Sequence, residues 1–282
     1  MSMYHNTKKR RKPIAWLILI VSIATMLLSG FNLMETHQTY KIGDDSYKSL
    51  TDLVRPEGTP VFNQSQTTGR IPGESAETAE TTETAATAEN KPNIDIPAMA
   101  IDFDALHGIN PDAVAWLYSP GTVIDYPIVR ATEYDYYLHR LPDGTYNNNG
   151  TLFIDYNWTD FSDKLTVVYG HNMKSGKMFG SIANYKKQAY FDEHPYLYLY
   201  TETGENFRID LVYGCVIEAG QWRERAFMFD VNLDLLMDYA ARSTTFNSNA
   251  QYTPGDRVIA LSTCSYEFND ARYVVLGILQ PA

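Results

Sequence analysis

Two regimes of hydrophobic patterning divide the chain. From Ile14 to Met34 the residues are almost unbroken apolar, interrupted only by Ser22, Thr25, Ser29, Gly30 and Asn32. As a helix, residues 14–34 would span ~31 Å, about the thickness of a bilayer's hydrocarbon core. Beyond residue 94 the apolar positions fall into short runs rich in β-branched and aromatic residues. These predict strands over Val123–Ile128, Thr151–Asp155, Leu165–Tyr169, Tyr196–Thr201, Asn206–Tyr213, Val258–Ser262 and Tyr273–Leu279. Turn residues separate them: Pro142-Asp143-Gly144, the run Asn147 to Gly150, Thr203-Gly204 and Pro254-Gly255-Asp256. Helical signals are sparse. Asn110-Pro111-Asp112 reads as the start of a short helix ending near Trp116. A second helix is expected from Asp230 or Asn232, with Leu233, Leu236, Met237 and Ala240 on one face, and a third short piece over Met178 to Tyr185. Many short strands at this spacing predict a closed barrel or a sandwich, so the fold class is mainly β.

Between the two regimes the composition collapses. Residues 35–56 are mixed and compatible with a short helix. Residues 57–93 are polar, and Glu74 to Asn90 is nearly all Thr, Ala and Glu without an aromatic residue. Such a stretch buries too little apolar surface to offset chain entropy, so it predicts a flexible stalk. The expected organisation is therefore a basic segment over 1–13, a membrane span over 14–34, a juxtamembrane segment and stalk over 35–93, and a folded domain over 94–282, long enough for one core.

Charge fixes the expected topology. Lys8, Lys9, Arg10, Arg11 and Lys12 precede the apolar run, which predicts a cytoplasmic N-terminus and an extracellular domain at the cell membrane. Leu28-Ser29-Gly30 is followed by Phe31 rather than Cys, which excludes lipidation there, and an uncleaved signal anchor is favoured over a cleaved signal peptide. Residues 94–282 carry 13 basic and 24 acidic side chains, and the whole chain has a net charge of −11. Nucleic acid is therefore not an expected partner, because phosphate binding requires an excess of Lys and Arg.

Only two cysteines occur, Cys215 and Cys264. A single disulfide between them is one reading. The other separates them: Cys215 lies inside an apolar strand run, whereas Cys264 ends the run Ala260-Leu261-Ser262-Thr263. Arg272 then opens the next strand, and His171 follows the strand that ends in Tyr169-Gly170. A thiol, an imidazole and a guanidinium at strand termini are the groups nucleophilic acyl transfer requires. The thiolate attacks a carbonyl, the imidazole handles the proton and the guanidinium stabilises the oxyanion. No His-Glu-x-x-His pattern, Cys-x-x-Cys pair or glycine-rich phosphate loop is present, so neither a metal nor another cofactor is expected. Most of the 21 tyrosines read as amphipathic strand-face residues.

The ordered stretches Ile101-Asp102-Phe103, Ile109-Asn110-Pro111-Asp112, Ile124 to Val129, Tyr137-Leu138, Gly150 to Tyr156, Tyr169-Gly170-His171-Asn172, Met178-Phe179 and Leu261-Ser262-Thr263-Cys264 with Arg272 resemble a class B sortase. That family consists of membrane-anchored cysteine transpeptidases of Gram-positive bacteria. The resemblance implies an eight-stranded sortase β-barrel with a few flanking helices, and a thiol-peptidase-type chemistry. It implies Cys264 as nucleophile, His171 as acid and base, and Arg272 as oxyanion and substrate stabiliser. It further implies that Ser262, Thr263 and Leu138 border the substrate groove, with Trp222 as a substrate contact. Ala260 stands where the family usually has Thr, a change expected to affect packing more than chemistry. The implied substrates are secreted proteins bearing a C-terminal sorting signal, often of an Asn-Pro-x-Thr type. The implied acceptor is an amine of a peptidoglycan precursor, and no cofactor is implied. Two other readings stay open: a hydrolytic cysteine peptidase with the same three residues, separable by amine capture, and a non-catalytic surface-binding barrel, separable by the reactivity of Cys264.

Overall fold

The computed structural model describes residues 11–55, 94, 96–133, 135–155, 157–222 and 229–282. Its centre is a closed barrel of eight strands: β1 (Ala113–Tyr118), β2 (Asp125–Arg130), β3 (Leu152–Ile154), β4 (Leu165–Tyr169), β5 (Tyr196–Thr201), β6 (Phe207–Glu218), β7 (Val258–Cys264) and β8 (Ala271–Pro281). Around the barrel they run β1-β2-β3-β4-β7-β8-β6-β5, and β5 pairs back onto β1. Closure leaves no sheet edge to manage. Two of the pairings, β2 with β3 and β4 with β7, are parallel. The β4–β7 pairing sets Tyr169 opposite Ser262. β1 and β7 contribute Trp116, Leu117, Ile259 and Leu261, each fully buried, so both faces of β1 are covered.

The strand over Ala113–Tyr118 replaces the helix expected there. All six of its residues are buried, and it is paired on both sides, to β2 and β5. The side chain of Asn110 does not cap a helix that runs forward. Its Oδ1 accepts from the Asp112 N–H at 2.8 Å, while Nδ2 donates to Tyr137 OH at 2.9 Å and to the Pro142 carbonyl at 2.7 Å. The local helix lies upstream instead, as α2 (Phe103–Ile109), capped by Asp102, whose side chain accepts from the Ala105 N–H at 2.8 Å. The other helical expectations have counterparts. A 3-10 helix covers Phe179–Lys186, α3 spans Gln188–Glu193, and α4 (Phe229–Ser243) buries Leu233, Leu236, Met237 and Ala240. No disulfide joins the two cysteines, with Cys215 buried in β6 and Cys264 half-buried at the end of β7, so the disulfide reading is excluded.

The first helix, α1 (Arg11–Val54), is continuous. Its first half exposes Trp16, Leu17, Ile18, Leu28, Phe31 and Met34, and it is long and apolar enough to cross a membrane. Its second half docks on the barrel. Gly43, Tyr47, Leu50 and Val54 recur at helical spacing, which gives this end a single apolar face. Tyr47, Leu50 and Val54 are buried there, and Tyr40 packs beside them. At the end of the helix Arg55 makes a two-pronged bond to Asp125, at 3.0 and 2.5 Å, and lies over the Trp116 ring. The chain re-enters by returning an N–H from Asp102 to the Val54 carbonyl at 2.8 Å. Residues 57–93, the expected stalk, lie outside the described residues.

This docking gives a test. A protease site inserted within residues 56–93 of the full chain and then cleaved is expected to leave the two fragments together through gel filtration in detergent, and to separate them only in denaturant. Immediate separation would mean that the α1 contacts do not hold on their own.

Candidate active site

Strand register brings the site together. In the β7–β8 hairpin Cys264 stands directly opposite Arg272, so both side chains project from the same face. On the other flank of β7, the parallel register that pairs Tyr169 with Ser262 brings Gly170 beside Thr263 and His171 beside Cys264. Hydrogen bonds secure this end of the pairing. The Gly170 N–H donates to the Ser262 carbonyl at 3.2 Å, Thr263 Oγ1 donates to the Gly170 carbonyl at 2.8 Å, and Asn172 Nδ2 donates to the Cys264 carbonyl at 2.6 Å. The backbone is thus tied across the strands at each residue leading to the thiol and the imidazole.

Gly170 has a steric role. A Cβ built on it would lie 2.5 Å from Leu152 Cδ2 and 2.5 Å from Phe179 Cγ, both in the buried core. No side chain fits there without moving the strand end that carries His171.

The His171 ring is half-buried between two chain segments. One is its own loop, where the N–H groups of Met173 and Phe179 donate to the His171 carbonyl at 3.2 and 3.1 Å. The other is the 3-10 helix Tyr136–His139, whose His139 ring centroid lies 5.8 Å from that of His171. Burial pulls the His171 pKa below the usual imidazole value, the nearby His139 lowers it further, and a hydrogen bond to the Leu138 backbone opposes them. At neutral pH the ring is therefore neutral, ready to accept a proton. Among the described residues, His171 makes no direct hydrogen bond to the Cys264 thiol.

Beside the thiol is a cavity of about 80 Å³, lined by Asp135, Leu138, Phe153, Tyr169, Gly170, Ser262, Thr263, Cys264 and Arg272. Cys264, Arg272, Ser262, Thr263 and Leu138 therefore share one cavity, whose lining includes Gly170 but not the His171 that follows it. The Ser262 hydroxyl is buried there without a hydrogen-bond partner. Trp222 is placed elsewhere. It is 3% exposed, packs in the hydrophobic core and does not line this cavity. Sequence reading missed Phe153 and Tyr169, whose rings lie 5.4 Å apart and form the aromatic side of the cavity. Part of the signal was available, since Tyr169 ends β4 just before Gly170, while Phe153 is its cross-strand partner in β3.

No protein-family model matches the chain. A protein named Sortase B from Listeria monocytogenes serovar 1/2a is 32% identical over 179 residues, covering 62% of this chain and 72% of that protein. Among solved structures, a class B sortase of Streptococcus pyogenes involved in pilus biogenesis is 30% identical with a TM-score of 0.57, covering 63% of this chain and 97% of that one. Sortase B of Clostridium perfringens is 28% identical with a TM-score of 0.57, covering 63% and 99% respectively.

The geometry makes two predictions. Gly170→Ala is expected to destabilise the domain by ~1–3 kcal/mol through overpacking, and to reduce activity beyond that loss. Thermal unfolding and turnover measured together check this. His139→Gln removes the charge that helps hold the His171 pKa down. The acid limb of kcat/KM, set by His171 and lying below ~6.5 in the parent, is expected to move up in pH. A limb that stays put would mean that burial alone sets the His171 pKa.

Proposed function

This chain belongs to the class B sortase family, and on that premise we propose that Cys264, His171 and Arg272 carry out its transpeptidation. Cys264 attacks, as thiolate, the carbonyl that follows a Thr-like residue in a sorting signal, and the Arg272 guanidinium stabilises the oxyanion. His171 takes up the Cys264 thiol proton as the thiolate forms and passes it to the amine leaving the peptide, so a thioester remains on Cys264 and the ring is neutral again. It then takes the proton from an incoming amine, which attacks the thioester and releases the thiolate. Bonds and protons balance without a cofactor. The observation that carries this reading is the pair of registers that meet at Cys264: Arg272 opposite it in β8, and His171 beside it beyond β4.

The cavity walls of Leu138, Ser262 and Thr263 support their role as substrate contacts, whereas the burial of Trp222 favours a packing role for that residue. The substrates are secreted proteins carrying a C-terminal sorting signal, and the acceptor is the amine of a peptidoglycan precursor. An amine on another protein would polymerise the product, and the Streptococcus pyogenes relative in pilus biogenesis makes that acceptor a specific alternative to test. The basic cluster Lys8–Lys12 supports a cytoplasmic N-terminus, and the span 14–34 supports placing the catalytic domain outside the cell.

Turnover with a sorting-signal peptide and a nucleophilic amine tests the roles. Cys264→Ala is expected to abolish acyl-enzyme formation. His171→Ala is expected to reduce kcat by ~10² to 10⁴. Arg272→Lys is expected to be poor despite its charge, because Lys lacks the planar fork that holds two oxygens. An added peptide amine of the acceptor type is expected to capture the acyl group, which a simple hydrolase would release to water. Full activity in Arg272→Lys would mean that charge alone is sufficient.

A further inference from the structure

The two segments that flank His171 are both braced by α1. Tyr47, buried on the docked face of α1, donates its hydroxyl to the Gly150 carbonyl at 2.5 Å. The Thr39 carbonyl of α1 accepts from the buried Asn147 Nδ2 at 2.9 Å, and the Asn147 N–H donates to the His139 carbonyl at 3.0 Å. Asn147 and Gly150 thus tie α1 to the end of the segment that carries Leu138 and His139 against the imidazole. On the other side, Asp44 of α1 pairs with Lys177 at 2.5 Å and accepts from Asn149 Nδ2 at 3.4 Å. Lys177 lies in the loop after His171, next to Met178, whose N–H donates to Tyr126 OH at 3.4 Å and whose backbone has φ = 50°. The Tyr126 ring meets the Tyr47 ring edge-on at 5.1 Å. Gly43 fits against Asn147 and Asn149, and a Cβ there would collide with both side chains.

The barrel closes through its own eight strands, so α1 is not needed to complete the sheet. Alongside contacts to α2 and Tyr126, α1 makes hydrogen bonds and an ion pair to the two loops that hold His171. We propose that the docked end of α1 is a positioning element for His171, with Asp44 and Tyr47 as positioning residues, so that membrane anchor and active site form one mechanical unit. This rests on the reading of His171 as the group that manages the proton of the Cys264 reaction. Neither Asp44 nor Tyr47 lies in the cavity lining or is expected to touch substrate.

The test uses the full chain in detergent micelles and reads alkylation of Cys264 by iodoacetamide as a function of pH, together with thermal unfolding. His171→Ala defines which limb of the profile depends on His171. Asp44→Lys is expected to displace that limb and to lower the rate near pH 7 by on the order of 3- to 10-fold. The charge swap Asp44→Lys with Lys177→Asp is expected to restore both. Arg55→Ala breaks α1 contacts away from these loops, to Asp125 and Trp116, and is expected to lower the unfolding temperature while leaving the limb in place. Identical profiles for the parent and His171→Ala would overturn the reading of His171 and the proposal with it. A normal His171-dependent limb in Asp44→Lys, or a swap that restores the unfolding temperature but not the limb, would overturn the proposal alone.

Discussion

The site depends on one pairing, the parallel alignment of β4 with β7. An antiparallel partner would send the chain after β4 to the opposite end of the barrel. Parallel pairing, with Tyr169 opposite Ser262, makes both strands end together, so the residues after them lie side by side. The β7–β8 hairpin then returns Arg272 to the same position. Three side chains separated by up to about a hundred residues in sequence thus meet because of two registers, and each register is set by the apolar faces of strands that are buried on both sides. Closing the barrel fixes them together, since a slip in one strand would move every inward-facing residue to the outer face.

The His171 environment follows from the same geometry. Gly170 must lack a side chain because the end of β4 packs against Leu152 and Phe179, and the ring that comes next is half-buried between its own loop and the Tyr136–His139 helix. Burial lowers the His171 pKa, so a neutral imidazole faces the cleft at neutral pH, and the Leu138 backbone bond counteracts part of that shift. A fully exposed ring would keep its ordinary pKa, and a fully buried one would be out of reach of the substrate. Half-burial between two loops is the compromise, and it leaves the ring dependent on the position of those loops.

The strand runs, the barrel class, the helix carrying Leu236 and Met237, and the Cys264, His171 and Arg272 positions were legible in the pattern of apolar runs and their ends. Three features were not. Ala113–Tyr118 looked helical because Asn110-Pro111-Asp112 is a good helix start. Only the burial of both faces, which depends on β2 and β5, makes it a strand. Trp222, expected as a substrate contact, is buried in the core outside the cavity lining, a burial that depends on tertiary packing. The docking of α1 was hidden by its mixed composition, although the spacing of Gly43, Tyr47, Leu50 and Val54 was present in the sequence. What escaped in each case is a contact between elements distant in sequence, which local periodicity does not record.

A thioester held on Cys264 can pass to water or to an amine, and the cavity bears on which wins. Its lining is largely apolar, with Leu138, Phe153 and the flank of Tyr169 beside the thiol, which disfavours ordered water next to the carbonyl. An amine that arrives at neutral pH is mostly protonated and must lose a proton before it attacks, so the group that gives it up needs a ready acceptor. The neutral His171 ring is such an acceptor, and its lowered pKa keeps it deprotonated until the moment of transfer. A base of ordinary pKa would already be partly protonated at that point. If Cys264 carries the acyl group as proposed, the largely apolar cavity lining and the half-buried, neutral His171 ring are the two features of the cleft that bear on transfer against hydrolysis.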